Sequence, residues 1–227
     1  MEFIDNEHLS ADTLFNFTKE FKYIEDKIRN RFKPRLVLED YTPIGIQMEI
    51  AIPMVCFCDI RLSDIWAHTK EYGDYGIGLK KEWGIEKELS PLIYVSKHAA
   101  LLKHFANSVT KEKKEHVAKL FINLKPYSGK QNGKNRNFYN EREWRFIPNA
   151  AIVETFFGKK EIDTMHDPIH KNEIMKLDLS QVEYIIIEKE SDFNTMIGVL
   201  KRIANPQATF ETLISKIITA KQIEKDF

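Results

Sequence analysis

The chain of 227 residues reads as an α+β protein, a single mixed domain over 1–227 with small antiparallel or mixed sheets flanked by helices. Three observations predict this. Short β-rich runs at 14–18, 53–58 and 182–187 are interspersed with segments of helical apolar spacing at 20–31, 192–204 and 207–224. The order lacks the regular strand–helix–strand rhythm of a doubly wound sheet. There is no internal repeat or low-complexity tract, and nine glycines and eight prolines leave little room for long linkers.

The elements follow in chain order. Leu14-Phe15-Asn16-Phe17-Thr18 is a short strand. Phe21, Ile24 and Ile28 mark one face of a helix over 20–31, and Pro34 ends the region. Residues 53–58 form a strand, and Asp59 begins a turn. Leu62, Ile65, Trp66 and Thr69 give helical spacing over 62–71. Tyr72-Gly73-Asp74-Tyr75-Gly76-Ile77-Gly78-Leu79 is a Gly-rich turn running into an apolar strand. Such a turn brings backbone close to a ligand, or simply opens a hairpin. It has neither the lysine of a P-loop nor the spacing of a dinucleotide fingerprint. Residues 92–96 are a strand, and 97–124 are one long helix or two. The first part carries Ala100, Leu101 and Phe105. The second is rich in Lys and Glu, with Val117, Leu120 and Phe121 as its apolar stripe. Val182-Glu183-Tyr184-Ile185-Ile186-Ile187 is a β-branched, central strand. A helix over 192–204 stops before Pro206, and a last helix over 207–224 uses Phe210, Leu213, Ile214, Ile217 and Ile218.

Lys plus Arg and Asp plus Glu are both 34, so no global field draws the chain to nucleic acid or anionic membrane, and an anionic partner must meet a local patch. No apolar run approaches a membrane span and no signal-peptide core opens the chain, which predicts a cytoplasmic protein with no membrane partner. Cys56 and Cys58, spaced C-x-C, suit neither a redox C-x-x-C nor a zinc site without a second pair. They read as reduced core residues sharing one face of a strand. His166 and His170, with Asp163 and Asp167 nearby, are separated by Pro168, which argues against a single-faced metal site. Trp66, Trp83 and Trp144 read as packing residues rather than a binding platform.

The segment with most chemical content is Phe138-Tyr139-Asn140-Glu141-Arg142-Glu143-Trp144-Arg145-Phe146-Ile147-Pro148. As a strand it puts Glu141, Glu143 and Arg145 on one face and Arg142, Trp144 and Phe146 on the other. Two carboxylates on one side raise each other's pKa unless a cation or hydroxyl intervenes. One reading is a functional acid, base or hydroxyl clamp. The other is that Glu141 and Glu143 pair with Arg142 and Arg145 and lace a sheet edge. Residues 126–140 before it read as the longest loop, broken by Pro126, Gly129, Gly133 and four asparagines. Lys130, Lys134 and Arg136 make it basic, and Tyr127, Phe138 and Tyr139 add aromatic faces. Cations interleaved with aromatics suit phosphate and base binding; a solvated surface loop has the same composition.

The 14–18 start, the block Pro53-Met54-Val55-Cys56-Phe57-Cys58-Asp59-Ile60, residues 72–83 and the 138–148 segment together resemble the AbiGi family of bacterial abortive-infection (phage-defence) proteins, described as antitoxins. That resemblance implies a phage-defence role and a cognate toxin protein as partner, met by the 207–224 helix or the charged 111–121 segment. A more distant resemblance is to the ADP-ribosyltransferase fold, which implies NAD held between two small sheets. On that resemblance Asn16, Phe17 and Thr18 stand on the first strand, Tyr75 and Gly76 or Ser96 supply the middle element, and the 126–140 loop meets a nucleic-acid or protein acceptor through Lys130, Lys134, Arg136 and Tyr139. Glu143 would grip the ribose and face an oxocarbenium-like cation, and Glu141 would orient or deprotonate the acceptor. Asn16 stands where that fold carries a histidine; its amide both donates and accepts, so it still suits a ribose hydroxyl. Two functions therefore follow: an antitoxin-like binding partner, or an NAD-dependent transferase.

Overall fold

The fold is that of a computed structural model describing residues 11–29, 32–47, 49–102, 121–131, 133–148, 174–204 and 207–226. Its strands are β1 (Thr13–Thr18), β2 (Arg35–Asp40), β3 (Glu49–Cys58), β4 (Tyr75–Lys80), β5 (Ser90–Pro91), β6 (Ile93–Val95), β7 (Leu124–Pro126), β8 (Ser128–Gln131), β9 (Lys134–Asn137), β10 (Glu143–Phe146), β11 (Val182–Ile187) and β12 (Ile217–Thr219). Its α-helices are α1 (Phe21–Ile28), α2 (Trp66–Tyr72), α3 (Lys81–Glu86), α4 (Phe193–Ile203), α5 (Gln207–Ile214) and α6 (Ala220–Asp226). The α+β class is as the sequence predicts. The chain divides into two compact units: Met1–Phe32, Phe57–Lys87 and Lys176–Phe227 make the first, and Lys33–Cys56 with Glu88–Met175 make the second. Among the described residues no helix is long and apolar enough to cross a membrane.

In the first unit the strands run in the order β12-β11-β4-β1, mixed in direction. β4 is antiparallel to both β1 and β11, while β12 joins β11 in parallel. The register explains the spacing of Gly76 and Gly78. Phe17 stands opposite Gly76 and Phe15 opposite Gly78. A Cβ at either glycine would lie 2.8 Å from the facing ring, so the missing side chains make room for two stacked phenyl rings, 6.0 Å apart. Phe15 then joins Cys58, Ile60, Ile65, Ile186 and Ile223 in a buried cluster. Gly73 is required for a different reason. Its φ of +109° is unfavourable for any L side chain, and a Cβ there would sit 2.3 Å from the Thr18 carbonyl oxygen.

Two expectations for this unit are corrected. The helix over 207–224 is interrupted: α5 ends at Ile214, and Ile217-Ile218-Thr219 form β12 instead. These β-branched residues find a ready edge in Ile185, Ile186 and Ile187, their registered partners. Thr219 then starts α6 through a reciprocal cap. Its hydroxyl accepts from the Gln222 N–H (3.0 Å), and the Gln222 side chain accepts from the Thr219 N–H (2.9 Å). Trp66 is 48% exposed rather than packed, with the Lys70 ammonium 4.5 Å from its ring centre. Trp83 does pack, against Phe32 and Phe57.

In the second unit β2 and β3 pair antiparallel over their shared length, from Arg35↔Met54 to Asp40↔Glu49. β10 follows β3, and β5 follows β10. Tyr41, Ile44, Ile50, Ile52, Met54, Phe121 and Leu124 fill the core beneath. Residues 126–140 are not an open loop. β8 and β9 form an antiparallel hairpin, with Gln131↔Lys134 the last registered pair and Gly133 at φ +77°. Asn132-Gly133 is a two-residue hairpin sequence, but the residues flanking it are all polar or glycine and lack the apolar alternation that strengthens such a signal. The strand expected over 138–148 is confined to Glu143–Phe146. Phe138–Glu141 is a 3₁₀ turn, opened by the Asn137 side chain accepting from the Tyr139 N–H (3.1 Å), and Arg142 is left-handed at φ 43°. Residues 103–120 of the expected long helix, including 111–121 apart from Phe121, and the group Asp163, His166, Asp167 and His170 lie outside the described residues. The chain is already extended at Leu124, where β7 pairs in parallel with β6.

Candidate functional site

Glu141 and Glu143 are 5% and 6% exposed. Arg142 explains how both turn inward although a regular strand does not continue between them. Its left-handed backbone ends the 3₁₀ turn and starts β10, so the two carboxylates converge on Lys125 of β7. The Lys125 ammonium lies 2.9 Å from Glu141 Oε2 and 2.5 Å from Glu143 Oε2. Arg136, from β9, reaches Glu141 Oε1 at 3.1 Å. Arg145, alternating with Glu143 along β10, donates through Nε to Glu143 Oε1 at 2.7 Å. Its other nitrogens donate to the Ile122 carbonyl (3.0 Å) and to Glu39 of β2. Three carboxylates and three cations thus form one closed network, and Arg145 at its centre is 1% exposed.

The electrostatics follow from burial opposed by these partners. Burial alone would push the Glu143 carboxyl up; Arg145 and Lys125 outweigh it and hold the group at about 2. Burial acts to lower Lys125, but Glu143, Glu39 and Glu141 raise it well above its ordinary value. Arg145 is likewise raised, with Glu143 and Glu39 overcoming desolvation. For Glu39 burial wins over Arg145 and its carboxyl is raised. Cys56 on β3 has its thiol pushed well up by burial first and by Glu143 second. The Tyr94 hydroxyl accepts the Glu143 N–H at 2.8 Å, and burial raises its pKa.

This arrangement limits the chemistry available. A general base works best with a pKa near the working pH, and a carboxylate held at about 2 is a weak one. Both Glu143 oxygens already contact cations, which offsets the negative charge that would face an oxocarbenium-like centre.

The other residues singled out from sequence divide between the units. Asn16, Phe17, Thr18, Tyr75 and Gly76 fall in the first; Ser96, Lys130, Lys134, Arg136, Tyr139, Glu141 and Glu143 fall in the second. Asn16 stands on β1 opposite Ile77. Gly76 lies against the Phe17 ring, so the close approach it permits is made by the protein's own side chain. Tyr75 is buried against Phe21, and its hydroxyl lies 3.0 Å from Glu188 Oε2 and 2.9 Å from Asp192 Oδ2. Burial and then these carboxylates raise its pKa. Ser96, Lys130, Lys134 and Tyr139 are exposed. Of the expected partners for the acidic pair, Arg145 is one, and exposed Arg142 is replaced by Lys125 and Arg136. Lys125 and Glu39 were not anticipated. The strand that carries Glu39 has only the short apolar run Leu36-Val37-Leu38 as its local signal, with no alternation in polarity to mark Glu39 as inward-facing.

Residues 30–189 match the family model described as "Putative abortive phage resistance protein AbiGi, antitoxin". The chain belongs to the AbiGi family. A curated AbiGi relative, "Abortive phage resistance protein AbiGi" of Lactococcus lactis subsp. cremoris, is 24% identical over 247 aligned positions, covering 86% of this chain and 99% of that protein. No solved structure matches the chain. The stretch matched to AbiGi contains every member of the buried network, from Glu39 to Arg145, and leaves Asn16 and α5–α6 outside.

Proposed function

We propose that this AbiGi-family protein acts in abortive phage defence as an antitoxin-like component that binds a partner toxin, rather than as a catalyst. The observation that carries this is the enclosure of Glu143: it is 6% exposed, held at about 2, and contacted on both oxygens by cations of its own chain. A carboxylate so neutralised serves to fix β10 against β7 and β2. The alternative, an NAD-dependent ADP-ribosyltransferase using the same strand, needs Glu143 released to meet a ribose hydroxyl. The family description as an antitoxin supports the binding reading.

Co-expression with toxin candidates from the same host tests it. A binding antitoxin restores growth only when its level matches that of the toxin, and it co-elutes with the toxin at fixed ratio. Rescue by trace amounts, lost in a folded Glu143→Gln variant, would instead support the enzyme.

A further inference from the structure

We propose that the basic, tyrosine-bearing face around the β8–β9 hairpin binds single-stranded nucleic acid. The proposal stands apart from toxin binding and rests on two observations on and beside the β8–β9 hairpin. The first is a ring ladder. Tyr127 stacks on Tyr139 with centres 5.4 Å apart and planes at 23°, and Tyr94 meets Tyr139 edge-on at 5.4 Å and 80°. Tyr127 and Tyr139 nevertheless remain 40% and 47% exposed. The ladder is held by its surroundings. The Tyr127 N–H donates to the Val95 carbonyl (2.8 Å), the Asn137 amide donates to the Tyr127 hydroxyl (3.3 Å), and the Tyr94 hydroxyl accepts from Glu143 (2.8 Å). Rings fixed in advance lose little freedom when a base stacks on them.

The second observation is the sorting of charge. From Leu89 to Pro148, the carboxylates among the described residues are Glu141 and Glu143, both turned inward and matched by buried cations. The exposed charged side chains among the described residues of the same span are Lys97, Lys130, Lys134 and Arg142. A chain with no net charge thus carries exposed cations on and beside this hairpin, while exposed Asp40 and Glu49 lie on β2 and β3 of the same unit. The ion-pair network contributes to this by turning Glu141 and Glu143, the acids among the described residues of the span, away from the surface. Phosphates satisfy the cations, and unpaired bases offer planar faces to the rings; a duplex keeps its bases stacked on each other and cannot use the ladder. An acidic peptide would meet the cations but leave the tyrosines without a matching flat partner.

The test is fluorescence anisotropy of the full chain with end-labelled oligouridylate and oligothymidylate of about 16 nucleotides, near the upper end of such footprints. Saturable binding is expected, with a log–log salt slope of about −2 to −3 if three or four cations meet phosphates. Tyr139→Ala and Tyr127→Ala should each weaken binding about 5- to 100-fold, whereas Tyr139→Phe keeps it and Lys130→Gln with Lys134→Gln flattens the salt slope. Circular dichroism confirms folding of each variant. No binding by the folded chain at tens of micromolar overturns the proposal, as does equal affinity for a duplex or indifference to both tyrosine-to-alanine changes. If neither oligonucleotide binds while Tyr139→Ala abolishes co-elution with a toxin, the face is a protein-docking surface: the proposal fails and antitoxin function stands.

Discussion

Glu143→Gln keeps the size of the side chain and removes its charge, so it tests whether the buried network holds this unit together. The variant leaves Lys125 with Glu141 and Arg145 with Glu39, three cations against two carboxylates in a site closed to water. Removing one partner from a buried ion pair typically costs about 3–5 kcal/mol. A second route gives the same scale: a carboxyl lowered from 4.5 to about 2 by folding contributes about 3 kcal/mol at neutral pH. Against a usual stability of about 5–15 kcal/mol the variant should fold, but with a much lower denaturation midpoint. The sign with pH is fixed. Because the folded value is depressed, the stabilisation is complete above about pH 4.5 and is lost as pH falls through about 2. Less than half should remain at about pH 3. Glu39, raised by burial, runs the other way and costs stability as pH rises above the ordinary carboxylate range. The difference between wild type and variant isolates Glu143. Urea denaturation of both proteins at pH 7 and near pH 3 reads it directly. A loss under about 1 kcal/mol at pH 7, the scale of a surface pair, or a loss that does not shrink in acid, would refute the reasoning.

Other perturbations test the frame around the site. Gly73→Ala combines a forbidden φ with a backbone clash at Thr18 and should cost more than about 2 kcal/mol by thermal or chemical denaturation. Arg142→Val should destabilise by about 1–2 kcal/mol because a β-branched residue resists the left-handed turn, whereas Arg142→Gly should be neutral or slightly stabilising. Cys56, with its thiol pushed up by burial and Glu143, and buried Cys58, whose thiol donates to the Phe15 carbonyl at 3.3 Å, should resist iodoacetamide in the native state and react on unfolding, as mass spectrometry would show.

What could be read from sequence depended on whether the deciding contact was local. α1 and α4 carry their own helical stripe, β4 its alternation, and β1 and β11 short aromatic or β-branched runs, and all appear close to where those local signals place them. The 207–224 segment has a helical stripe too, but Ile217-Ile218-Thr219 are claimed by the edge of β11, a tertiary preference no local window contains. The hairpin at 128–137 was not legible because its strands, Ser128–Gln131 and Lys134–Asn137, hold no apolar side chain, so Asn132-Gly133 lacks the flanking alternation that marks a hairpin. The acidic pair was legible as a site of consequence, and its pairing with Arg145 followed from strand alternation. Its other partners were not legible. Lys125 is 16 positions before Glu141, and Glu39 is 106 before Arg145, so only the packing of β2, β7 and β10 brings them together.

Calorimetric titration of the wild-type chain with NAD, with a folded Glu143→Gln variant alongside, addresses the role of the Glu141/Glu143 strand most directly. If Glu143 is a structural ion-pair member of a toxin-binding protein, NAD gives no saturable heat with either. Saturable binding by the wild type that Glu143→Gln weakens without unfolding would contradict that conclusion and place the carboxylate in a working cofactor site.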